Sequence, residues 1–178
     1  MLKLLTHWNT LLSTECLVLR LEDRYIFPIF KNGSTSLHYD SDEILTNDEI
    51  SGCSLIHILL RDPRERFQAG INKYAMLNNT TVKNVIQQVK KNELSDRHFM
   101  PQWVWLLHLY KYYHGNVQLD SFKNIANYCK NHKGKTVSYT QETGVLADYI
   151  DSDYQLISHI GKTLPLKKLI EGCNHALS

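Results

Sequence analysis

Two short segments constrain this chain more than anything else in it. Tyr25-Ile-Phe-Pro-Ile-Phe-Lys-Asn-Gly-Ser-Thr-Ser36 and Ile56-His-Ile-Leu-Leu-Arg-Asp-Pro-Arg-Glu-Arg66 each read as an apolar strand, a polar turn and a helix start. Their cationic residues, Lys31 and Arg61, are thirty residues apart, about the length of one strand–helix–strand unit. That spacing predicts parallel strands that bring two anion anchors to one edge of a sheet. A ligand with phosphates at both ends of a nucleoside would fit them.

The rest of the chain supports an α/β reading. Residues 15–21 and 24–30 are β-rich runs separated by Glu22-Asp23, which predicts a strand pair or hairpin. The nearly continuous apolar run 54–60 predicts a strand buried on both faces. Helices are predicted over 2–13, 34–39, 63–77, 81–92, 121–131, 143–150, 153–160 and 165–176, with a last short strand at 117–119; residues 102–113 are apolar almost all round, so that periodicity does not separate helix from strand, and are read as a helix. Thr46-Asn-Asp-Glu49 has the capping-box pattern. No Pro/Gly/Ser-rich linker or repeat divides the 178 residues. The expected fold is a single domain over 1–178, α/β and P-loop NTPase-like, in three layers with a small, mostly parallel central sheet flanked by helices.

Each anchor has a physical logic. Gly33 permits a tight turn and a close backbone approach. The N–H groups of Ser34, Thr35 and Ser36 then lie at a helix N-terminus, where exposed donors and the helix dipole favour an anion, and hydroxyls add further donors. Lys31 stands at the beginning of this loop, unlike the lysine of G-x-x-x-x-G-K-[ST], which is absent. An ordinary strand-to-helix turn has the same composition. In the second segment, Asp62, Pro63 and Glu65 read as N-cap, N1 and N3 of a helix, with Arg64 and Arg66 solvated or paired with carboxylates. Arg61, ending an apolar strand, needs an anionic partner, and its forked guanidinium suits a phosphate.

Composition narrows the function classes. A net charge of +2 is too mild for a nucleic-acid-wrapping surface. Cys16, Cys53, Cys129 and Cys173 form no C-x-x-C pair and read as reduced thiols, not as a metal or redox motif. No apolar run reaches the ~20 residues needed to cross a bilayer, and the N-terminus lacks a signal-peptide pattern. A cytoplasmic protein is expected, without membrane, nucleic-acid or metal partners.

Together these residues resemble the sulfotransferases that use 3′-phosphoadenosine 5′-phosphosulfate (PAPS), most closely the carbohydrate-type branch. Phe30-Lys-Asn-Gly-Ser-Thr-Ser-Leu37 looks like the 5′-phosphosulfate loop K-x-G-x-T-S. Leu60-Arg-Asp-Pro-Arg-Glu-Arg-Phe67 looks like the 3′-phosphate segment R-[DE]-P-x-E-R. Asp96-Arg-His-Phe-Met-Pro-Gln102 is similar to D/N-x-H-x-x-P-Q, and residues 140–157 resemble the C-terminal helical stretch. The family's serine eight residues after the motif arginine is replaced by Ala69.

The resemblance implies sulfuryl transfer from PAPS to an acceptor hydroxyl, of a carbohydrate in particular, leaving 3′-phosphoadenosine 5′-phosphate (PAP). It implies cofactor contacts at Lys31, Asn32, Gly33, Ser34, Thr35, Ser36 and Arg61, with Lys133 in the basic loop 130–135 a counterpart of the loop near the 3′-phosphate. Lys31 would neutralise charge on the bridging oxygen. His98 is the first candidate for general base, or else a structural histidine holding the Pro101 turn. His38 and His57 are weaker candidates, His57 reading as a core residue. Trp103 and Trp105 read as acceptor-lining or core. A non-catalytic nucleotide-binding or interaction module on the same fold is the alternative, and a phosphoryl-transfer enzyme with an atypical loop a third.

Overall fold

The computed structural model describes residues 17–91, 93–130, 132 and 147–175, the backbone alone at 147–150, 174 and 175. β1 (Leu19–Leu21) and β2 (Arg24–Ile26) form the expected hairpin, with Leu21 opposite Arg24 and Glu22 turning the chain at φ 54°. Then come α1 (Ser34–Asp40), β3 (Glu43–Ile44), α2 (Asn47–Ser51), β4 (Leu55–Leu60) and α3 (Pro63–Leu77). They are followed by α4 (Val82–Lys90), α5 (Gln102–Tyr110), β5 (Asn116–Ser121) and a 3₁₀ helix (Phe122–Asn127). α6 (Ala147–Ile157), β6 (Thr163–Pro165) and α7 (Leu166–His175) close the described chain.

Local signals decide the helix starts. Thr46 and Glu49 close the predicted capping box, the Thr46 N–H donating to Glu49 Oε2 at 2.7 Å. Asp62 caps α3 by accepting from the Arg64 and Glu65 N–H groups, both at 3.0 Å, with Pro63 in the first turn. Glu65 does not return to Asp62 as a capping box would. Its carboxylate faces Arg61 instead, 3.4 Å from Nε.

Among the described residues, six strands form one open sheet in the order β3-β1-β2-β4-β5-β6. Within it β2–β4 and β4–β5 pair in parallel, and β1–β2, β1–β3 and β5–β6 are antiparallel. The sheet is therefore mixed, which corrects the expectation of a mostly parallel one. Hairpin-length connections bring β1 beside β2, and the two short strands β3 and β6 cover the edges.

Alternation along β4 and β5 splits the core. Ile56, Ile58, Leu60, Val117 and Leu119 pack with α5 and with Leu166, Leu169 and Ile170 of α7. Leu59 and Ile26 face the other way, onto Leu37 of α1 and Ile125, Tyr128 and Cys129. A third cluster joins α3 and α4 through Phe67, Ile71, Val85, Ile86 and Val89. Each of these fully buried aliphatic side chains contributes about 1.5–3 kcal/mol.

Three further expectations change. Within the described residues, the helix expected over 121–131 is a short 3₁₀ helix, Phe122–Asn127, closed by the Tyr128 N–H on the Ile125 carbonyl at 2.9 Å. The strand at 117–119 is not the last, since β6 pairs outside it. The helices expected at 143–150 and 153–160 are one helix over the described residues, α6. The helix expected over 2–13 lies outside the described residues. Cys53, Cys129 and Cys173 are buried free thiols, and no described helix is long and apolar enough to cross a membrane.

Candidate anion-binding site

The C-terminal ends of the parallel strands β2, β4 and β5 open toward one rim, the side where open α/β sheets hold ligands. After β2 the chain runs through Phe27–Phe30 and reverses in a turn closed by the Asn32 N–H on the Ile29 carbonyl, 3.0 Å. Lys31 occupies the third position of that turn with φ 69°, and Gly33 follows with φ 78°. Positive φ at the third position favours Gly or Asn; a lysine there costs about 1–2 kcal/mol of backbone strain. Strain held by surrounding contacts is a recurrent mark of functional loops.

Those contacts are specific. Asn32 is buried, and its Nδ2 donates to the Leu59 carbonyl (2.7 Å) and to Gln102 Oε1 (2.6 Å). Arg66 Nε donates to the Phe30 carbonyl at 3.0 Å and its Nη1 to the Met100 carbonyl. Arg61 Nη1 donates to the Lys31 carbonyl at 3.0 Å. The two anchors thus converge on one rim, one side chain touching the other's backbone. The guanidinium of Arg61 also meets Glu65 and lies under the Phe122 ring, 4.9 Å from its centroid, leaving its side chain 10% exposed.

The electrostatics are one-sided at Lys31. Burial, then the charges of Lys73, Arg61 and Arg66, all hold its amine below the usual lysine range. A half-buried amine among three other cations is a place where an anion is favoured.

The remaining expected residues divide. At the start of α1, Gly33 supplies no side-chain cap, which leaves the first-turn donors of Ser34, Thr35 and Ser36 uncapped by it. Ser36 Oγ lies 3.1 Å from His132 Nδ1. Asn32 turns inward, so its side chain braces the loop and does not face a ligand. The bare Cα of Gly33 faces the 3₁₀ helix, where an added Cβ would collide with Ile125 Cδ1; the close approach it permits is to protein.

His98 sits beside the site. Its Nδ1 lies 2.5 Å from Asp96 Oδ1, and its ring packs 5.6 Å from Phe30, the residue before Lys31. Burial pushes the Asp96 carboxyl up, but the His98 side-chain and backbone hydrogen bonds, with His98 and Arg97 charge, hold it below its usual value. A carboxylate on Nδ1 selects the tautomer whose free lone pair is on Nε2.

His38 is exposed near the end of α1. His57 lies mid-strand in β4, with Nδ1 3.3 Å from the Tyr128 hydroxyl, which itself donates to Asp120 at 2.9 Å. Trp103 and Trp105 are core residues. Ala69 is half-buried on α3. Lys133 lies outside the described residues.

Four contributors escaped sequence reasoning. Arg66, read as solvated or paired with a carboxylate, is buried where its charge acts on Asp153 and it also braces the Lys31 loop; Gln102, a motif letter in the sequence, is buried; and Phe122 and Lys73 flank the anchors. The available signal for Arg66 was its helical position, four residues before Gly70 and beside Phe67, both on the packed face of α3. Gly70 is itself required, because a Cβ there would collide with the His98 carbonyl. A cavity of about 340 Å³ lined by Arg20, Tyr25, Glu43 and Glu49 lies toward the opposite end of the strands, beside Gly52 and Cys53 that precede β4, away from the anchors.

No family model matches this chain, and neither a curated protein nor a solved structure matches it.

Proposed function

We propose that the chain is a PAPS-dependent sulfotransferase on a P-loop-like α/β fold, acting on a hydroxyl acceptor, carbohydrate in class. One observation carries the reading. Lys31, strained at φ 69° and flanked by Arg61, Arg66 and Lys73, shares the rim of two parallel strands with Arg61, whose guanidinium reaches its carbonyl. Such a donor set fits a nucleotide with two phosphate groups. Lys31 and the first-turn N–H groups of Ser34–Ser36 would hold the 5′ side, and Arg61 the 3′-phosphate.

The bound cofactor supplies an activated sulfuryl group. The chain's own work is positioning and charge stabilisation, as in phosphoryl transfer. Lys31 neutralises negative charge on the bridging oxygen. His98, oriented by Asp96, takes the acceptor hydroxyl proton at Nε2.

Calorimetry with PAP tests the reading. The chain is expected to bind PAP, and Lys31→Ala to abolish sulfate transfer while keeping the fold. No binding at millimolar PAP overturns it.

A second reading has its own support. Arg61 is already engaged by Glu65 and the Lys31 carbonyl, and the hydroxyl expected at position 69 is missing. A non-catalytic nucleotide-binding module accommodates both facts. PAP binding without transfer to any glycan, lipid or phenol would favour it.

A further inference from the structure

Gln102 is 0% exposed at the first position of α5, and its single carboxamide ties together the two segments that carry the anchors. Oε1 accepts from Asn32 Nδ2 in the Lys31 loop (2.6 Å) and from the Arg61 N–H (3.0 Å). Nε2 donates to the Arg61 carbonyl at 2.9 Å. The amide thus satisfies both backbone groups of Arg61, as a neighbouring strand would. Gln102 is fixed in turn from α6: Asp153 accepts from its backbone N–H (2.7 Å) and from that of Trp103 (3.0 Å). Bonds made in such buried surroundings are the costly ones to leave unmade.

The Arg61 guanidinium also spans the two segments, through the Lys31 carbonyl. That contact uses the group that would grip an anion, so a ligand competes for it. The Gln102 bridge uses only the backbone of Arg61 and persists when the guanidinium turns away. We infer that Gln102 is a positioning residue: it sets the separation between Lys31 and Arg61, and so selects ligands with two anionic groups at that separation over ligands with one. The inference rests on the nucleotide reading above and specifies how the site would discriminate.

The test compares the full chain with Gln102→Met, which keeps the side-chain length and removes all three bonds. Calorimetry measures PAP, with two phosphate groups, against adenosine 5′-monophosphate, with one. PAP affinity is expected to fall about 10- to 100-fold while the monophosphate changes less than about twofold, because Leu59 and Arg66 still hold the Lys31 loop. An unchanged preference, or equal losses for both nucleotides, overturns the inference. Gln102→Asn keeps an uncharged amide but is one methylene too short to hold Asn32 and Arg61 together; it should show the same selective loss of PAP affinity, and it decides the matter if the Met variant does not fold. A ligand-free readout separates the two proposals. Hydrogen exchange at the Asn32 N–H, which closes the turn on Ile29, should accelerate in the variants, and unchanged exchange overturns the bridge. Faster exchange in a chain that binds neither nucleotide removes the nucleotide reading and leaves the bridging role standing.

Discussion

Replacing Lys31 by glycine should stabilise the protein while removing the proposed anion site, and comparison with alanine isolates the reason. Lys31 holds φ 69° in the turn closed on Ile29. An L side chain in that region costs about 1–2 kcal/mol, which glycine avoids. Glycine gives back about 0.4–1 kcal/mol through the greater freedom of the unfolded chain. Lys31→Gly should therefore exceed Lys31→Ala by roughly 1 kcal/mol, or about 2–4 °C in Tm for a chain of this size. Both variants lose the same ammonium from among Arg61, Arg66 and Lys73. Both also keep the backbone carbonyl that Arg61 contacts, so charge and hydrogen bonding cancel in the comparison. Urea and thermal unfolding give the stability difference, and calorimetry with PAP gives the binding, expected to vanish equally in both. A glycine variant no more stable than the alanine variant would refute the argument that the loop stores strain at its lysine.

Other outcomes follow from the same contacts. Gly33→Ala combines positive φ with a collision on Ile125 and should cost about 2–4 kcal/mol in urea unfolding; a loss below about 0.5 kcal/mol would mean the 3₁₀ helix does not pack there as described. Burial pushes the Asp153 carboxyl up to about 6, against the charge of Arg66 and the bonds from Gln102 and Trp103. An acid with a raised folded pKa contributes stability that is complete below its unfolded pKa and is lost as pH rises through the folded one. The wild type should thus lose up to about 3 kcal/mol relative to Asp153→Asn between pH 4 and 7, and parallel stability–pH profiles for the two proteins would exclude it. Because the Lys31 amine is held below its usual range, PAP binding at alkaline pH should draw a proton onto it. Binding enthalpies that do not differ between buffers of unlike ionisation enthalpy would rule that out.

What the amino-acid order determines here is local. Asp62-Pro63 starts α3 where the capping pattern places it, Thr46 and Glu49 close their box, and the apolar run 54–60 contains the central strand β4 (Leu55–Leu60). These features depend on neighbours within a turn or two, where side-chain reach and backbone preference act without help from the rest of the chain. The meeting of Lys31 and Arg61 was also legible, because a strand–helix–strand spacing and two polar strand ends imply a shared rim.

The mixed sheet, the inward turn of Asn32, the burial of Arg66 and the bridging amide of Gln102 were decided only by tertiary packing. The last three rest on bonds between residues 27 to 70 positions apart. The same residue type takes a solvated role on one face of an element and a buried, bonded role on the other. Residue identity alone does not choose between the two; the choice falls to whichever carbonyl, carboxylate or ring the assembled fold brings alongside.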